Sequence, residues 1–568
     1  MSEKIYGIDL GTTNSCISVI EDGHPRVIPI EGDGIVPSVV SFDGREILVG
    51  RKARNRAVAF PEQSICSVKR LMGKPVELKL GDKTYEPEDI SSMILRYLCD
   101  EARRLEGRDV RRVVITVPAY FSDAQRRAAI DAGSKAGLSV ERIINEPTAA
   151  ALFYDHVNLK SRSSGSSWKH ALVYDLGGGT FDVSVLRMNE IIEVLSSTGD
   201  TQLGGDDFDR CLVDLALETL NEGGAPDLSE YAPALARMSI AAENAKIRLS
   251  SKATALIEET NIPTPDGHGC TLSLEISREE FVSLTSRLLE RTLDFVRKAL
   301  DEAKLRASDI DRVLLVGGMT RMPVVSAMLS SLFGDASMPP VDPDLSVSQG
   351  AAIQGGIITG ENVEQILLDV TSHTLSLAAW NEYTDKTLCV PIIPRNTPIP
   401  ANRARQFWTS VHNQKIARLE VYQGESEEPE DNTLIGKTEL RLARSEAETP
   451  IIVEYAYDLN GIIHLMAEQK GYSKRTEVRF DSRQPQISRH QELEIMDDDE
   501  EDEEMLRKQS SPINFVVHRA RELLKTMPDG ADKGTFAALA GRYEQALLED
   551  SDEIDDLEDE LLSAMDNL

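Results

Sequence analysis

Positive charge is scarce in this chain of 568 residues, which carries 62 Lys and Arg against 95 Asp and Glu. The formal net charge is −33. Nucleic acids and anionic lipid surfaces are themselves negative, so they would be repelled. We therefore expect neither a nucleic-acid nor a membrane partner.

Cysteine is also rare, and long apolar runs are lacking. The six cysteines are scattered without a close pair, which predicts neither a zinc site nor a disulfide framework and is typical of a reducing compartment. No apolar run reaches membrane-spanning length. Met1 runs almost directly into the first predicted strand, which leaves no room for a signal peptide. We expect a soluble cytoplasmic protein.

The sequence does contain a glycine turn between two apolar strands, ALVYDLGGGTFDVSVL at residues 171–186. Gly177, Gly178 and Gly179 can take positive φ and carry no Cβ, so their N–H groups can converge on phosphate oxygens. Asp175 ends the first strand and can hold hydrated Mg²⁺, which prefers oxygen ligands. Taken alone, the segment is equally compatible with an ordinary β-turn.

A second copy of this pattern makes coincidence unlikely as an explanation. Residues 6–20 are YGIDLGTTNSCISVI, in which Asp9 and Gly11 match Asp175 and Gly177 at the same spacing. Two such hairpins imply two similar half-domains that face each other across a cleft. The chain is too long for one core, and three or four domains are expected.

Two charged residues stand at informative places between the hairpins. Lys69 lies in SVKRLMG, and a lone lysine there is either a solvated surface charge or a phosphate contact. Glu146 precedes Pro147, where a helix can begin. Its carboxylate is compatible with catalysis and equally with an acid that stabilises a helix N-terminus.

Three later segments bring glycine or polar groups near a possible ligand. The Gly/Asp turn at 198–207 opens a helix, and LLVGGMTRMP at 314–323 is a strand, a glycine turn and a helix start. In the predicted helix 241–250, polar groups recur at Glu243, Lys246 and Ser250. Exposed helical charge explains that recurrence just as well.

The alternation of strands and helices stops near residue 366, and strand-like alternation follows. Apolar residues alternate on both sides of Asp458-Leu459-Asn460-Gly461, which predicts a hairpin in a β-domain. By itself, Ile366-Leu367-Leu368 is compatible with a buried edge strand. An acidic run at 496–505 and three short amphipathic helices, the first capped by Ser511-Pro512, end the chain.

These motifs together resemble the 70-kDa heat-shock chaperones of the DnaK type. The resemblance covers residues 1–483 and rests on IDLGTTNS, SVKRLMG, VITVPAYFSDAQR, RIINEPTAAA, VYDLGGGTFDVSV, GDTQLGGDDFD, LLVGGMTRMP and ILLDV. The short C-terminal region and residues 422–426 resemble the small bacterial HscC homologues most closely.

The resemblance implies a multi-domain protein: an α/β actin-like (duplicated, ribonuclease H-like) ATPase domain, an all-β sandwich that binds peptide, and a short α-helical tail. The implied boundaries are 1–364 for the ATPase domain, 365–371 for the linker, 372–485 for the sandwich, and 486–568 for the acidic junction and lid. The implied activity is ATP-dependent binding and release of unfolded polypeptides.

The resemblance also implies site residues. It implies ATP or ADP and Mg²⁺ as cofactors, with K⁺ as an optional third. Lys69, Glu146, Thr180 and Asp175 would be catalytic, and Asp9, Asp175 and Asp182 would hold Mg²⁺ through water. The nucleotide would contact Gly11, Thr12, Thr13, Asn14, Lys69, Gly177, Gly178, Gly179, Thr180, Gly204, Gly205, Glu243, Lys246, Ser250, Gly317, Gly318, Arg321 and Asp344. Coupling between domains would use Pro118, Arg126, Ile366, Leu367, Leu368 and Asp369.

For partners, the resemblance implies extended client polypeptides and a J-domain co-chaperone that contacts Arg142, Asn145 and Thr148. The implied peptide groove contains Leu375, Leu377, Phe407, Ser410, Ala417 and Leu419. Ala417 is smaller than the usual residue and Trp380 falls near the arch, which predicts an altered side-chain preference. The segment between Lys69 and Ile90 is shortened, which leaves the nucleotide-exchange factor uncertain. The short helical tail predicts faster release of bound peptide. We expect a monomer.

Two other functions fit a duplicated phosphate-binding fold. A small-molecule kinase, such as a sugar kinase, should end after the second half-domain, whereas this chain continues into a β-domain. A filament-forming cytoskeletal ATPase needs large polymerisation surfaces, and the formal charge of −33 argues against them.

Overall fold

The computed structural model describes residues 4–479 except 33, 163–168, 190, 335, 337–341, 362–365, 382–385 and 473, and then 524, 531–549, 557, 560, 561 and 564. The chain divides into two compact units, Met1–Ser488 and Arg489–Leu568. The predicted acidic run lies outside the described residues. Of the helix expected after Ser511, the described part is Leu524, which is helical.

The N-terminal part of the first unit is built on a mixed sheet. Its elements are β1 (Ile5–Leu10), β2 (Asn14–Glu21), β3 (His24–Val27), β4 (Val36–Pro37), β5 (Val40–Phe42), β6 (Ile47–Val49), α1 (Arg51–Ala57), β7 (Ser64–Ile65), β8 (Leu78–Leu80), β9 (Lys83–Tyr85), α2 (Pro87–Glu106), β10 (Arg112–Val117), α3 (Asp123–Lys135), β11 (Ser139–Asn145) and α4 (Glu146–Arg162). The strand order is β11-β10-β1-β2-β3, and β4 also pairs with β2. β1 is antiparallel to β2 and parallel to β10.

The next part repeats this arrangement. Its elements are β12 (His170–Leu176), β13 (Phe181–Met188), β14 (Ile191–Asp200), α5 (Gly205–Glu222), α6 (Ala232–Leu249), β15 (Thr254–Ile262), β16 (Cys270–Ser277), α7 (Arg278–Leu284), α8 (Ser286–Glu302), β17 (Arg312–Val316), α9 (Pro323–Phe333), α10 (Ser346–Thr359) and β18 (Ile366–Leu368). The order β17-β12-β13-β14-β18 again places a hairpin beside a parallel strand. This supports the predicted duplication.

Helices α4 and α10 pack close to the sheets and complete a core shared by both halves. Gly7 and Gly350 allow the close approach. A Cβ on Gly7 would lie 2.1 Å from the backbone N of Ala352, and one on Gly350 would lie 1.8 Å from the carbonyl O of Ala149. Any larger residue at either position would force the elements apart.

The first turn of α3 confirms the predicted helix start. Ser122 Oγ accepts a hydrogen bond from Gln125 N at 3.4 Å, and Gln125 Oε1 accepts one from Ser122 N at 3.0 Å. This reciprocal capping satisfies two N–H groups that a helix terminus leaves unpaired. It also fixes the loop that joins β10 to α3.

Two four-stranded antiparallel sheets form a sandwich. The alternating pattern predicts a β-domain here, and the resemblance implies a sandwich. Their strands are β19 (Leu375–Asn381), β20 (Lys386–Ile393), β21 (Ala401–Trp408), β22 (Ile416–Gln423), β23 (Thr433–Arg441), β24 (Pro450–Tyr457), β25 (Ile463–Gln469) and β26 (Arg475–Arg479). The orders are β20-β19-β22-β23 and β21-β24-β25-β26. The predicted hairpin around Asp458–Gly461 joins β24 to β25.

The second unit contains α11 (Ala531–Glu549), in which Phe536 and Tyr543 are buried as the predicted apolar stripe requires. Leu557 and Leu561, from the last predicted helix, are also buried. Among the residues that the structure describes, no helix has the length and hydropathy needed to cross a membrane. All six cysteines are free thiols.

Candidate functional site

The two glycine hairpins meet, as the duplication predicts. A Cβ on Gly178 would lie 1.9 Å from Thr13 Oγ1, and one on Gly179 would lie 2.6 Å from Thr12 Cγ2. The turn between β1 and β2 therefore touches the turn between β12 and β13 with no room for a side chain. This contact brings two sets of turn N–H groups to one place.

Two further glycine turns close around the same point. A Cβ on Gly204 would lie 2.5 Å from Gly179 N, and one on Gly317 would lie 2.7 Å from Gly177 N. Gly205 N also donates to Gly177 O at 2.9 Å. The structure thus places the sequence-predicted glycines together, apart from Gly11, which lies against Asn14 O on its own hairpin, and Gly318, near Asp344.

Acidic side chains and one lysine lie next to the converging turns. Lys69 is 4% exposed and forms a buried ion pair with Glu146, so the interpretation of Lys69 as a surface charge is wrong. Glu146 begins α4, as the helix-terminus interpretation predicts, and it also pairs with Lys69. Its catalytic role stays a prediction. The pair joins segments that are far apart in the sequence.

Three aspartates share this environment. Asp9 accepts a hydrogen bond from Thr116 Oγ1 at 2.9 Å, and Asp182 accepts one from Tyr120 N at 3.0 Å. Burial, followed by the charge of Glu146, raises the pKa of Asp9 and of Asp182 to about 7. The same two causes raise the pKa of Asp175 well above its usual range. The buried carboxyl groups of Glu146 and the three aspartates therefore share one nearby lysine as their source of positive charge.

This donor set fits a hard divalent cation, because its oxygens are acidic, buried and short of positive charge. Burial lowers the pKa of Lys69, but Glu146 and Asp9 raise it further, and the net direction is upward. Within the described ranges, no three His, Cys, Asp or Glu side chains form a direct metal-binding group. Contacts through water, as the sequence predicts for Mg²⁺, remain a proposal.

The residues predicted to line an adenosine pocket form two groups. Lys246 pairs with Asp209 at 2.6 Å and donates to Gly205 O at 3.0 Å, which connects α6 to the glycine turns. Arg321 pairs with Asp344 at 2.6 Å beside Gly318. Ser250 follows the last residue of α6.

Several contacts across the cleft were missed by the sequence analysis. Arg54 of α1 pairs with Glu243 of α6 at 2.6 Å, so Glu243 is not merely an exposed helical charge. Arg70 donates to Asp207 at 3.1 Å. Asp207 lies in the Gly/Asp turn at 198–207 that the sequence analysis noted, and Asp209 lies two residues beyond it. Nothing in the local sequence distinguishes Arg54 from other helical arginines.

The linker segment forms an edge strand of the second sheet. β18 pairs in parallel with residues 191–193 of β14, which confirms the edge-strand interpretation of Ile366-Leu367-Leu368. The linker interpretation stays a prediction. Leu367 packs against the shared core, whereas Leu368 is 38% exposed. The predicted linker strand is thus part of the sheet that carries the glycine hairpin.

Asp369 follows β18 and connects several residues assigned to different roles. Its carboxylate accepts hydrogen bonds from Asn145 Nδ2 at 2.9 Å and Thr148 Oγ1 at 3.2 Å. Arg126 donates to Asn145 Oδ1 at 2.8 Å, and burial lowers the pKa of partly buried Arg142 while Asp369 raises it. The predicted co-chaperone residues Asn145 and Thr148 are therefore buried beside the linker. Pro118, before this region, accepts a hydrogen bond from Phe121 N.

The β-sandwich lies against α3 and β11 in this arrangement. Asp123 N donates to Gln423 Oε1 at 3.2 Å, and Ile143 N donates to Asn460 Oδ1 at 3.0 Å. A Cβ on Gly461 would lie 3.0 Å from Arg126 Cδ, so the hairpin between β24 and β25 touches the Asp369 network. None of these contacts has a local sequence signal.

The sheet β20-β19-β22-β23 splits at one end. β19 pairs with β22 only at residues 375–377, although β22 pairs with β23 over its whole length and β19 pairs with β20 as far as residue 381. Beyond Leu377, the facing edges of β19 and β22 are therefore not joined by this ladder. Trp380 lies on the separated part of β19 and is 52% exposed.

The predicted groove residues fall into two groups. Phe407 is half-buried and Ser410 is exposed. The other four are buried in the core between the two sheets: Leu375, Leu377, Ala417 and Leu419. Direct contact of these four with peptide stays a prediction.

The Hsp70 protein family model matches residues 5–561 of this chain. The chain is similar to the chaperone protein DnaK of Mycoplasma mobile, with 41% identity over 539 residues, 94% of this chain and 87% of the relative. It is also similar to DnaK of Halobacterium salinarum strain R1, with 42% identity over 475 residues, 83% of this chain and 74% of the relative. DnaK of Ureaplasma urealyticum is 43% identical over 481 residues, 84% of this chain and 78% of the relative.

Proposed function

The chain belongs to the Hsp70 family and is an ATP-dependent, ATP-hydrolysing chaperone, and on this premise we propose where it binds nucleotide. ATP would lie where the two glycine hairpins meet, with its phosphates on the turn N–H groups. The contacts between Thr13 and Gly178 and between Gly204 and Gly179 support this assignment. Lys246, Arg321 and their neighbours would contact the adenosine.

Mg²⁺ would be held through water by Asp9, Asp175 and Asp182. When bound, it would neutralise phosphate charge and the surplus of carboxylates described above. Lys69 would supply a second positive charge, and its buried pairing with Glu146 supports this role. We also propose K⁺ as a further cofactor.

Hydrolysis would require positioning rather than covalent chemistry. Glu146 would accept a proton from water or orient it, and Thr180 would assist from the start of β13. Thr180 is buried, and its carbonyl accepts a hydrogen bond from Gly177 N at 3.1 Å, which fixes the turn. Lys69 would stabilise the charge that develops on the transferred phosphate.

The single observation that carries the coupling of ATP hydrolysis to client binding is the sheet β17-β12-β13-β14-β18. Its central hairpin carries Asp175 and Thr180, and its edge strand would be the linker to the sandwich. A change at the hairpin and a change at the linker therefore act on one continuous element.

We propose that clients bind to the sandwich where β19 and β22 separate. Unpaired strand edges can form backbone hydrogen bonds to an extended peptide, and side-chain pockets then add selectivity. Trp380 and the small Ala417 would alter that selectivity towards bulkier residues. A peptide array that matches that of an ordinary family member would contradict this altered preference.

We further propose the domain boundaries 1–364, 365–371, 372–485 and 486–568, an actin-like ATPase domain, and a shortened lid. A J-domain protein would contact Arg142, Asn145 and Thr148. The shortened segment after Lys69 leaves the exchange factor undefined. We also propose that the protein is a monomer, that it works in a reducing cytoplasm, and that it belongs to the HscC-like subtype.

The test is ATP turnover, together with peptide affinity measured with and without ATP, in Asp175→Ala and Lys69→Ala. Both variants should lose turnover and the sensitivity of peptide affinity to ATP. Unchanged values in both would disprove the proposed site. Transfer of phosphate to a sugar would instead favour the kinase, and ATP-dependent polymerisation would favour the filament-forming ATPase; family membership favours neither.

A further inference from the structure

His373 lies where the β-sandwich meets the loop that follows β10. Its ring stacks on that of Tyr120, with centroids 4.1 Å apart and planes inclined by 54°. His373 Nε2 lies 3.2 Å from Tyr120 O, and the adjacent Ser372 hydroxyl donates to Ala119 O. One residue of the α/β part therefore holds the imidazole both by ring contact and by hydrogen bonding.

Tyr120 also contacts the proposed nucleotide site. Its backbone N donates to Asp182 Oδ1 at 3.0 Å, and Asp182 is 1% exposed. The Tyr120 amide thus binds an aspartate of the site, while its ring and carbonyl bind His373. Movement of the sandwich away from the loop would remove one of the two supports that hold Tyr120 in place.

Charged and titratable groups from four elements surround His373. Tyr120 and Arg126 approach from the loop and helix after β10, Arg395 from the loop after β20, and Glu425 from the loop after β22. Glu425 accepts hydrogen bonds from Thr374 N at 2.9 Å and Thr374 Oγ1 at 2.7 Å. Arg395 pairs with Glu302 at 3.0 Å. Both charges are thus held in position by other partners.

Burial lowers the pKa of His373 to about 4, with a contribution of the same sign from Arg395 and Arg126. The Tyr120 carbonyl and Glu425 act in the opposite direction but do not reverse the shift. The ring is therefore neutral at neutral pH while the sandwich is docked on the α/β part.

We propose that His373 is a proton-sensitive docking residue: its neutral ring holds the sandwich against Tyr120, whose amide binds Asp182, and protonation of the ring releases the contact. The inference rests on the proposed nucleotide site, because Asp182 matters only if that site is correct. It adds a proton-sensitive connection between client binding and turnover.

The direction of the pH effect follows from the two states. In the undocked state, the exposed ring has its ordinary pKa of about 6.5, so it binds a proton more readily than the docked ring does. Docking is fully favoured above that pH and weakens as the pH falls towards about 4. The docking equilibrium constant should fall about tenfold between pH 7.5 and pH 5.5.

The test uses the full chain with ATP and Mg²⁺ at pH 7.5, 6.5 and 5.5. Docking is measured by small-angle X-ray scattering and by hydrogen exchange of residues 366–369, together with ATP turnover. His373→Gln keeps an N–H donor that does not titrate, so it should dock at pH 7.5 and lose most of the fall at pH 5.5. Docking rather than turnover reports the proton step, because Asp9 and Asp182, with pKa values of about 7, also titrate in this range.

His412→Gln is the matched control. His412 is an exposed histidine of the sandwich that pairs with Glu446 at 2.9 Å, and its replacement should retain the pH dependence of the unaltered chain. Equal pH dependence in the unaltered chain and His373→Gln, with normal turnover at pH 7.5, overturns this inference alone. Absence of turnover and of any ATP effect on docking in the unaltered chain overturns the proposed function as well.

Discussion

At the scale of single residues, Lys69 lies in an unusual electrostatic position, since one buried ammonium group serves several buried carboxylates. Lys69→Ala would leave Glu146 without its partner and remove positive charge from the phosphate site. ATP turnover should fall at least about a hundredfold, whereas the glycine turns should still bind nucleotide. Single-turnover hydrolysis and nucleotide titration separate the two effects.

Lys79→Ala is the control for this variant, because Lys79 is an exposed lysine of β8. It should turn over ATP like the unaltered chain. Comparable turnover in Lys69→Ala would show that Lys69 is a structural rather than a catalytic residue.

A second residue-scale prediction concerns Asp209, whose pKa burial raises to about 7 despite its ion pair with Lys246. A carboxyl whose pKa is raised by folding stabilises the protein most at low pH, and this contribution is lost as the pH rises towards that value. Asp209→Asn should therefore flatten the decline of apparent stability between pH 5 and pH 7, by up to about 1 kcal/mol per pH unit.

Thermal unfolding of the nucleotide-free chain at pH 5, 6 and 7 measures this slope. Asp214→Asn, on the same helix but in an exposed pair with Arg210, should leave the slope unchanged. A slope that is the same in Asp209→Asn and Asp214→Asn would show that Asp209 is ionised throughout.

At the scale of secondary-structure elements, the linker strand is asymmetric. Leu367 packs into the shared core and Leu368 is 38% exposed. Leu367→Asp should therefore detach β18 from β14 and abolish stimulation of ATP turnover by unfolded peptide, because it buries a charge without a partner. Leu368→Asp should retain most of the stimulation. Equal effects of both substitutions would contradict the burial difference.

The elements were largely predictable, because the signals are local. The two hairpins, the capped start of α3 and the turn at Asp458–Gly461 follow from glycine placement, capping residues and alternation. The burial of Lys69 was not predictable, since its partner Glu146 lies far away in the sequence and a lone lysine has no periodic pattern. For β18 the sequence is compatible with an edge strand and with a linker. The sheet shows the edge strand, and an edge strand can also serve as a linker.

At the scale of the whole molecule, the docked sandwich depends on polar contacts across long sequence separations. Arg395 of the sandwich pairs with Glu302 of α8 at 3.0 Å, and both side chains are largely buried. Arg395→Glu should reduce the docked fraction, because it places two acids together. Combining it with Glu302→Arg should restore docking in part.

Small-angle scattering with ATP measures the compact fraction of these variants. Arg403→Glu, at an exposed arginine of β21, is the matched charge reversal and should leave docking unchanged. No recovery in the double variant would show that the pair is incidental to docking. Such contacts escape sequence analysis because each joins two residues that are individually unremarkable, as Asp123 and Gln423 also illustrate.

The burial of Asn145 beneath the linker implies competition. Its amide is engaged at both ends, with Oδ1 accepting from Arg126 and Nδ2 donating to Asp369. A visiting protein that bonds to Asn145 where Asp369 does would have to displace Asp369, so the visitor and the linker would exclude each other from this position. The linker is then an intramolecular competitor with a high effective concentration. The affinity of the visiting protein, multiplied by its concentration, would have to exceed that of the linker.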